Sequence, residues 1–142
     1  VAEQLEIDVL GAGGVGGVGG VGLPLEEIER LLALSLGSAG IDSGHVAVEF
    51  VSAERIAELN VAHREKAGPT DVLSFPIDGA DPVPGPRELG DIVICPEHTA
   101  DLREAIIHGA LHLTGMDHET DDGEMLAVQR EIMNWVSPDG DP

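Results

Sequence analysis

The stretch His108-Gly109-Ala110-Leu111-His112-Leu113-Thr114-Gly115-Met116-Asp117-His118 decides how the rest of the chain is read. Its first two histidines are four residues apart in a segment of helical character, so both imidazoles leave one face of a helix a single turn apart. Gly115 can adopt the left-handed backbone that ends a helix, and Met116-Asp117 then lead the chain back to bring His118 beside the first two. Three neutral imidazoles and one open position make the ligand set of a catalytic zinc site, where water takes the fourth place. Structural zinc usually has four ligands, often thiolates, and Cys95 is the only cysteine in the chain. A lone histidine is by default an ordinary polar side chain on a half-buried helix. Three of the six histidines fall in this one stretch, with a helix breaker between the second and third, and they predict a single metal ion held by His108, His112 and His118.

The spacing also satisfies the zincin pattern H-E-x-x-H-x-x-G-x-x-H at every position but one. Gly109 stands where a metalloprotease keeps glutamate as its general base, and glycine has no side chain to accept a proton. The ligand geometry is retained while peptidase chemistry is disfavoured.

Upstream, Asn60-Val61-Ala62-His63-Arg64-Glu65-Lys66-Ala67-Gly68-Pro69-Thr70-Asp71-Val72-Leu73-Ser74-Phe75-Pro76 holds a turn at Gly68-Pro69. A strand follows over residues 72–75, and Pro76 marks a strand end or sheet edge. Gly90-Asp91-Ile92-Val93-Ile94-Cys95 reads as another strand, with Cys95 as a small core side chain rather than a nucleophile.

Together with H-G-x-L-H-L-x-G-x-D-H, these segments resemble the YbeY-type endoribonuclease family of bacterial rRNA maturation factors, over about residues 46–135. The upstream stretch is similar to the family's L-N-x-x-Y-R-x-K-x-x-P-T-D-V-L-S-F-P segment and the second strand to its G-D-I-x-I segment. The resemblance implies a zinc-dependent, single-strand-specific endoribonuclease acting in rRNA maturation in the cytoplasm. Its implied partners are single-stranded RNA or rRNA, with ribosomal or ribosome-associated proteins beside it, and no DNA. Arg64 falls on the family's catalytic arginine, which makes Arg64 and His108 the expected catalytic pair. His63 and Met116 depart from the pattern, each standing where the family usually has tyrosine.

A divalent ion in this site would acidify bound water and polarise a phosphoryl oxygen. Phosphodiester cleavage also needs positive charge near the equatorial oxygens, and the planar fork of Arg64 suits bidentate phosphate contact. The plainer alternative makes Arg64 a solvated residue at a helix end. Lys66 is a lesser candidate, for a supporting phosphate contact. Asp117 either orients a ligand histidine or shapes the turn, and the two roles are compatible. The acidic group Glu119, Asp121, Asp122 and Glu124 reads as a solvated helix start.

The 142 residues fit one hydrolase domain spanning 1–142, and two Phe, one Trp and no Tyr leave the core to aliphatic packing. A formal charge of -20 with only seven basic residues is awkward for an RNA enzyme. RNA contact must be local, weak, or helped by a metal or a protein partner. No apolar run is long enough for a membrane span, the N-terminus lacks signal-peptide features, and one cysteine forbids an internal disulfide. These features favour the cytosol.

The patterning predicts an α+β fold, a small mixed sheet of about four strands packed with about four helices, the central helix carrying the HxxxH pair. Residues 6–10 alternate as a strand. Residues 11–22 are Gly/Val low complexity; Gly11, Gly13 and Gly16 match G-x-G-x-x-G, but the helix signal begins only at Pro24, so an exposed loop is expected instead of a phosphate site. A helix follows with Leu25, Ile28, Leu31, Leu32 and Leu36 on its buried face. Residues 45–51 form a strand, and Ser52 caps a helix to about residue 63 with Ile56, Leu59 and Asn60 on one side. A Pro/Gly-rich loop lies between Ile77 and Leu89, a long helix spans about 96–114, and a last helix, about 122–136, places Met125, Val128, Ile132 and Trp135 on one apolar face before a polar tail at 137–142.

Two other functions fit parts of this pattern. One is a metal-containing binding module for ribosome assembly, recognisable by a closed metal shell. The other is a divergent metallopeptidase, which needs a carboxylate within reach of the metal-bound water.

Overall fold

The computed structural model describes residues 5–10, 25–41, 43–64, 71–78, 87–117 and 121–136, with residues 63 and 64 described by their backbone alone. The Gly/Val tract 11–22, Pro24, Lys66, the stretch 79–86 of the Pro/Gly loop, His118, Glu119 and the tail 137–142 lie outside the described residues.

The elements run β1 (Leu5–Leu10), α1 (Leu25–Gly37), β2 (Gly44–Phe50), α2 (Ala53–Arg64), β3 (Val72–Pro76), β4 (Glu88–Ile94), a 3-10 turn at Pro96–His98, α3 (Leu102–Leu113) and α4 (Glu124–Val136). The four strands form one mixed sheet in the order β1-β2-β4-β3. β1 pairs with β2 and β2 with β4 in parallel, while β3 and β4 pair antiparallel. Parallel neighbours need a crossover, and α1 supplies the one between β1 and β2. The expected α+β architecture, a mixed sheet of about four strands with about four helices, is the one found among the described residues.

Alternation along the strands sorts the core onto two faces. On one face Val46, Val48, Val72, Ile92 and Ile94 meet the apolar sides of α1, α3 and α4 in the main core. On the other, Leu73, Val93 and Cys95 join Ile56 of α2 in a smaller cluster. β3 and β4 are therefore covered on both sides, and α3 is pressed onto the sheet between α1 and α4. Ile106, Ile107, Leu111 and Leu113 of α3 have no exposed surface, and each such burial stabilises by about 1.5–3 kcal/mol relative to exposure.

Three expectations change. The long helix at 96–114 is broken, because Thr99–Asp101 separates the 3-10 turn from α3 and Asp101 serves as the N-cap, its side chain accepting from the backbone amides of Arg103 and Glu104. Asx capping satisfies two orphan amides and restarts the helix there. Trp135 is 69% exposed, and Val136 takes the inward place with Met125 and Ile132. The inward stripe steps by four and three residues from Met125, which carries it through Val136 and leaves Trp135 on the flank. Leu25, at the first position of α1, is 41% exposed, whereas Ile28, Leu31, Leu32 and Leu36 are buried.

Candidate metal centre

α3 crosses the sheet at Gly109. A Cβ built there would lie 2.6 Å from Ile92 Cγ2 and 3.3 Å from both Ser74 Oγ and Val72 Cγ2. The Ser74 hydroxyl donates to the Gly109 carbonyl at 3.0 Å, tying α3 to β3 at its closest approach. The sequence explains Gly109 only as a missing protease base. The geometry adds that this position faces the sheet, where a glutamate side chain has no room.

One residue either side of that contact turns the helix by about 100°, so His108 and the residue a turn later leave the packed face. His108 and His112 are half-buried, with ring centroids 4.8 Å apart and ring planes at 78°. Each ring is held at Nδ1 by an oxygen. His108 Nδ1 lies 2.7 Å from Gln129 Oε1 of α4, and His112 Nδ1 lies 3.0 Å from the carbonyl oxygen of Met116. A backbone carbonyl can only accept, so His112 must carry its proton on Nδ1, and the neutral ring then keeps its lone pair on Nε2. An outer oxygen fixing Nδ1–H is the arrangement that orients metal-ligating histidines.

The carbonyl that holds His112 is set by how α3 ends. Thr114 is the C-cap, and Gly115 follows at φ +100°, a left-handed conformation that costs glycine little. The amide of Gly115 donates to His112 O at 3.0 Å and that of Met116 to Leu111 O at 3.3 Å. This bond pair is a Schellman motif. The expected left-handed glycine is thus present, and it turns the Met116 carbonyl back onto the ligand helix. Asp117 follows, half-buried, its own carbonyl accepting from the Asp121 amide at 3.0 Å. Asp121 in turn accepts from the Gly123 and Met125 amides through its carboxylate, so the acidic run begins α4 by capping it.

Of the four residues expected at the site, His108 and His112 come together, while His118 lies outside the described residues. No group of three or more His, Cys, Asp or Glu placed to hold a metal occurs among the described residues. Two adjacent, oriented imidazoles are a donor set that suits zinc, and His118 follows the turn that ends their helix. Arg64 is the last residue of α2. That helix begins beside the 3-10 turn, where the Ala53 amide donates to Glu97 at 3.3 Å, and it packs on the face of β3 and β4 opposite α3. Ser52 Oγ caps its first turn by accepting from the Arg55 amide at 3.1 Å, as its sequence predicts.

Gln129 is the site residue that sequence reasoning missed. Its signal was available: Gln129 occupies the same inward stripe as Met125, Ile132 and Val136, and a polar side chain there needs a hydrogen-bond partner.

A sequence model of the endoribonuclease YbeY family matches residues 25–137. The chain belongs to that family. An endoribonuclease YbeY of Rubrobacter xylanophilus is 46% identical over 96 residues, covering 66% of this chain and 68% of that protein. The endoribonuclease YbeY of Macrococcus caseolyticus is 39% identical over 129 residues, covering 78% of this chain and 84% of that one. For a Corynebacterium glutamicum relative at 36% identity, the chain spans 66% of the relative's length. The solution structure of TM1509 from Thermotoga maritima shares 31% identity and a TM-score of 0.55, with 96% of each chain covered. Membership in a family of nucleases, together with the packed Gly109, leaves little ground for the metallopeptidase alternative.

Proposed function

We propose that this chain is a zinc-dependent endoribonuclease that cleaves single-stranded RNA in rRNA maturation. The observation that carries the reading is the pair His108 and His112, a turn apart on one helix and each held at Nδ1 by an oxygen acceptor. His118 would complete the ligand set. With zinc in place the site gains a Lewis acid able to polarise a phosphoryl oxygen and to acidify water.

The chain's own residues do the rest. The Met116 carbonyl keeps the His112 imidazole in the tautomer that offers Nε2. Gly109 seats the ligand helix on β3 and β4, so the pair is carried on a rigid element. Arg64 would neutralise charge on the phosphodiester oxygens as it builds, from a helix that lies across edge strand β3 from the histidines. Local contact of this kind suits the charge distribution. Arg30 and Arg103 both pair with Glu27, at 3.8 and 3.2 Å, and Arg55 pairs with Glu58 at 3.2 Å, so three of the seven basic residues already face carboxylates.

No helix among the described residues is long and apolar enough to cross a membrane. The reading places the activity in the cytoplasm, with ribosomal or ribosome-associated proteins supplying the affinity that so acidic a chain lacks. The test is cleavage of a labelled single-stranded RNA by zinc-loaded wild type beside His112→Ala and Arg64→Ala, each purified identically. Cleavage should fall at least about 100-fold in His112→Ala, the cost expected of losing a metal ligand or an electrostatic group in such a site. Equal cleavage by all three would remove the assignment. A ribosome-assembly module that binds RNA without cutting it would instead retain RNA binding in wild type with no cleavage.

A further inference from the structure

We infer that Gln129 is a positioning residue for the proposed metal centre, holding the His108 ring in the one tautomer that can bind a metal through Nε2. The inference rests on the zinc reading above and adds a residue from a different helix to it.

Met125, Gln129, Ile132 and Val136 follow one another at steps of four, three and four along α4, so they share one stripe facing α3. The three apolar members are buried in the main core. Gln129 is the polar interruption, and its Oε1 meets His108 Nδ1 at 2.7 Å. Buried neighbours on both sides, one turn away in each direction, fix the stretch of helix from which the amide reaches His108. The His112 ring is tied to the turn ending its own helix, whereas the Gln129 contact to His108 comes from a second helix. Without an acceptor at Nδ1, a neutral imidazole shares its proton between both nitrogens, and the ring also gains freedom to rotate.

An amide has a further property here. It accepts through Oε1 without adding a formal charge, in a chain that already carries -20. A carboxylate at the same place would hold the same tautomer and make the ligand more basic, whereas an apolar isostere would do neither. The two substitutions therefore separate hydrogen bonding from packing.

Two readouts test the role, using Gln129→Leu, Gln129→Glu and wild type. The first is long-range proton–nitrogen NMR of the metal-free proteins, well above the imidazole titration range. His108 should be protonated at Nδ1 in wild type and in Gln129→Glu, and should become a tautomer mixture in Gln129→Leu. The second is zinc affinity by competition with a chelator, where Gln129→Leu should bind about 10–100-fold more weakly than wild type and Gln129→Glu should match or exceed it. An unchanged His108 tautomer in Gln129→Leu, or unchanged affinity, overturns the role of Gln129. Failure of wild type itself to take up zinc would defeat the metal reading, and the metal-free spectra would still decide whether Gln129 sets the ring.

Discussion

At the scale of single residues, the ligand helix is placed by contacts that leave little slack. Gly109→Ala would push a methyl group to 2.6 Å from Ile92 Cγ2, in the middle of the sheet contact. Overpacking of this kind costs about 1–3 kcal/mol, so urea denaturation should show a lowered midpoint with an unchanged slope. Zinc affinity should fall with it, since His108 moves with its neighbour. The histidine spacing and the inert Cys95 were legible in the sequence because they depend only on local geometry and on the chemistry of one residue. The close approach at Gly109 and the partner of His108 were not, because each depends on which element lies across from it.

At the scale of elements, the end of α3 matters more than its length. Gly115 has open space around a would-be Cβ but sits at φ +100°, so Gly115→Ala pays for backbone conformation alone. Strain of about 1–2 kcal/mol is expected, with loss of the Schellman bonds and a displaced Met116 carbonyl. The His112 ring should then show weaker protection of its Nδ1 proton in the metal-free protein. At the other end, Asp101→Ala should cost about 0.5–2 kcal/mol in thermal or urea unfolding by removing the N-cap, while leaving zinc affinity near wild type. The sequence pattern could show that residues 96–114 favour helix. It could not show the break before Asp101, since Pro96 and Asp101 are both acceptable helix starts and only the tertiary path chooses between them. The placement of Trp135 failed similarly: residues 135 and 136 are 100° apart on α4, and the packing of α4 on α3 decided which one turned inward.

At the scale of the whole molecule, the surplus of carboxylates is partly answered by a histidine clamp across three strands. His45 of β2 lies 2.7 Å from Asp8 of β1 through Nε2 and 2.7 Å from Glu88 of β4 through Nδ1. Hydrogen bonds to Asp8 and then Glu88 raise its pKa above the ordinary value of 6.5. Its stabilising contribution is therefore complete below the unfolded-state value and is lost as pH rises through the raised folded-state value. Both carboxylates are more than a third exposed, at 66% for Asp8 and 40% for Glu88, which limits the effect to no more than about 1 kcal/mol. Urea midpoints of wild type and His45→Gln should differ on the acidic side of this transition and converge on the alkaline side. RNA binding carries its own signature of charge. Few phosphates can be neutralised by so few basic side chains, so the slope of log affinity against log salt should be shallow, about -2 or less in magnitude for two or three contacts to a single strand. Strand order and the parallel pairing of β1, β2 and β4 were beyond the reach of patterning, which identifies strands but not their neighbours.

Whether imidazoles from α3 and the bend after it share one ion is tested most directly by elemental analysis of protein purified without chelator, wild type beside His112→Ala. One zinc per wild-type chain, lost in His112→Ala while the fold is retained, is the predicted result. Zinc absent from wild type, or present equally in both proteins, would contradict it.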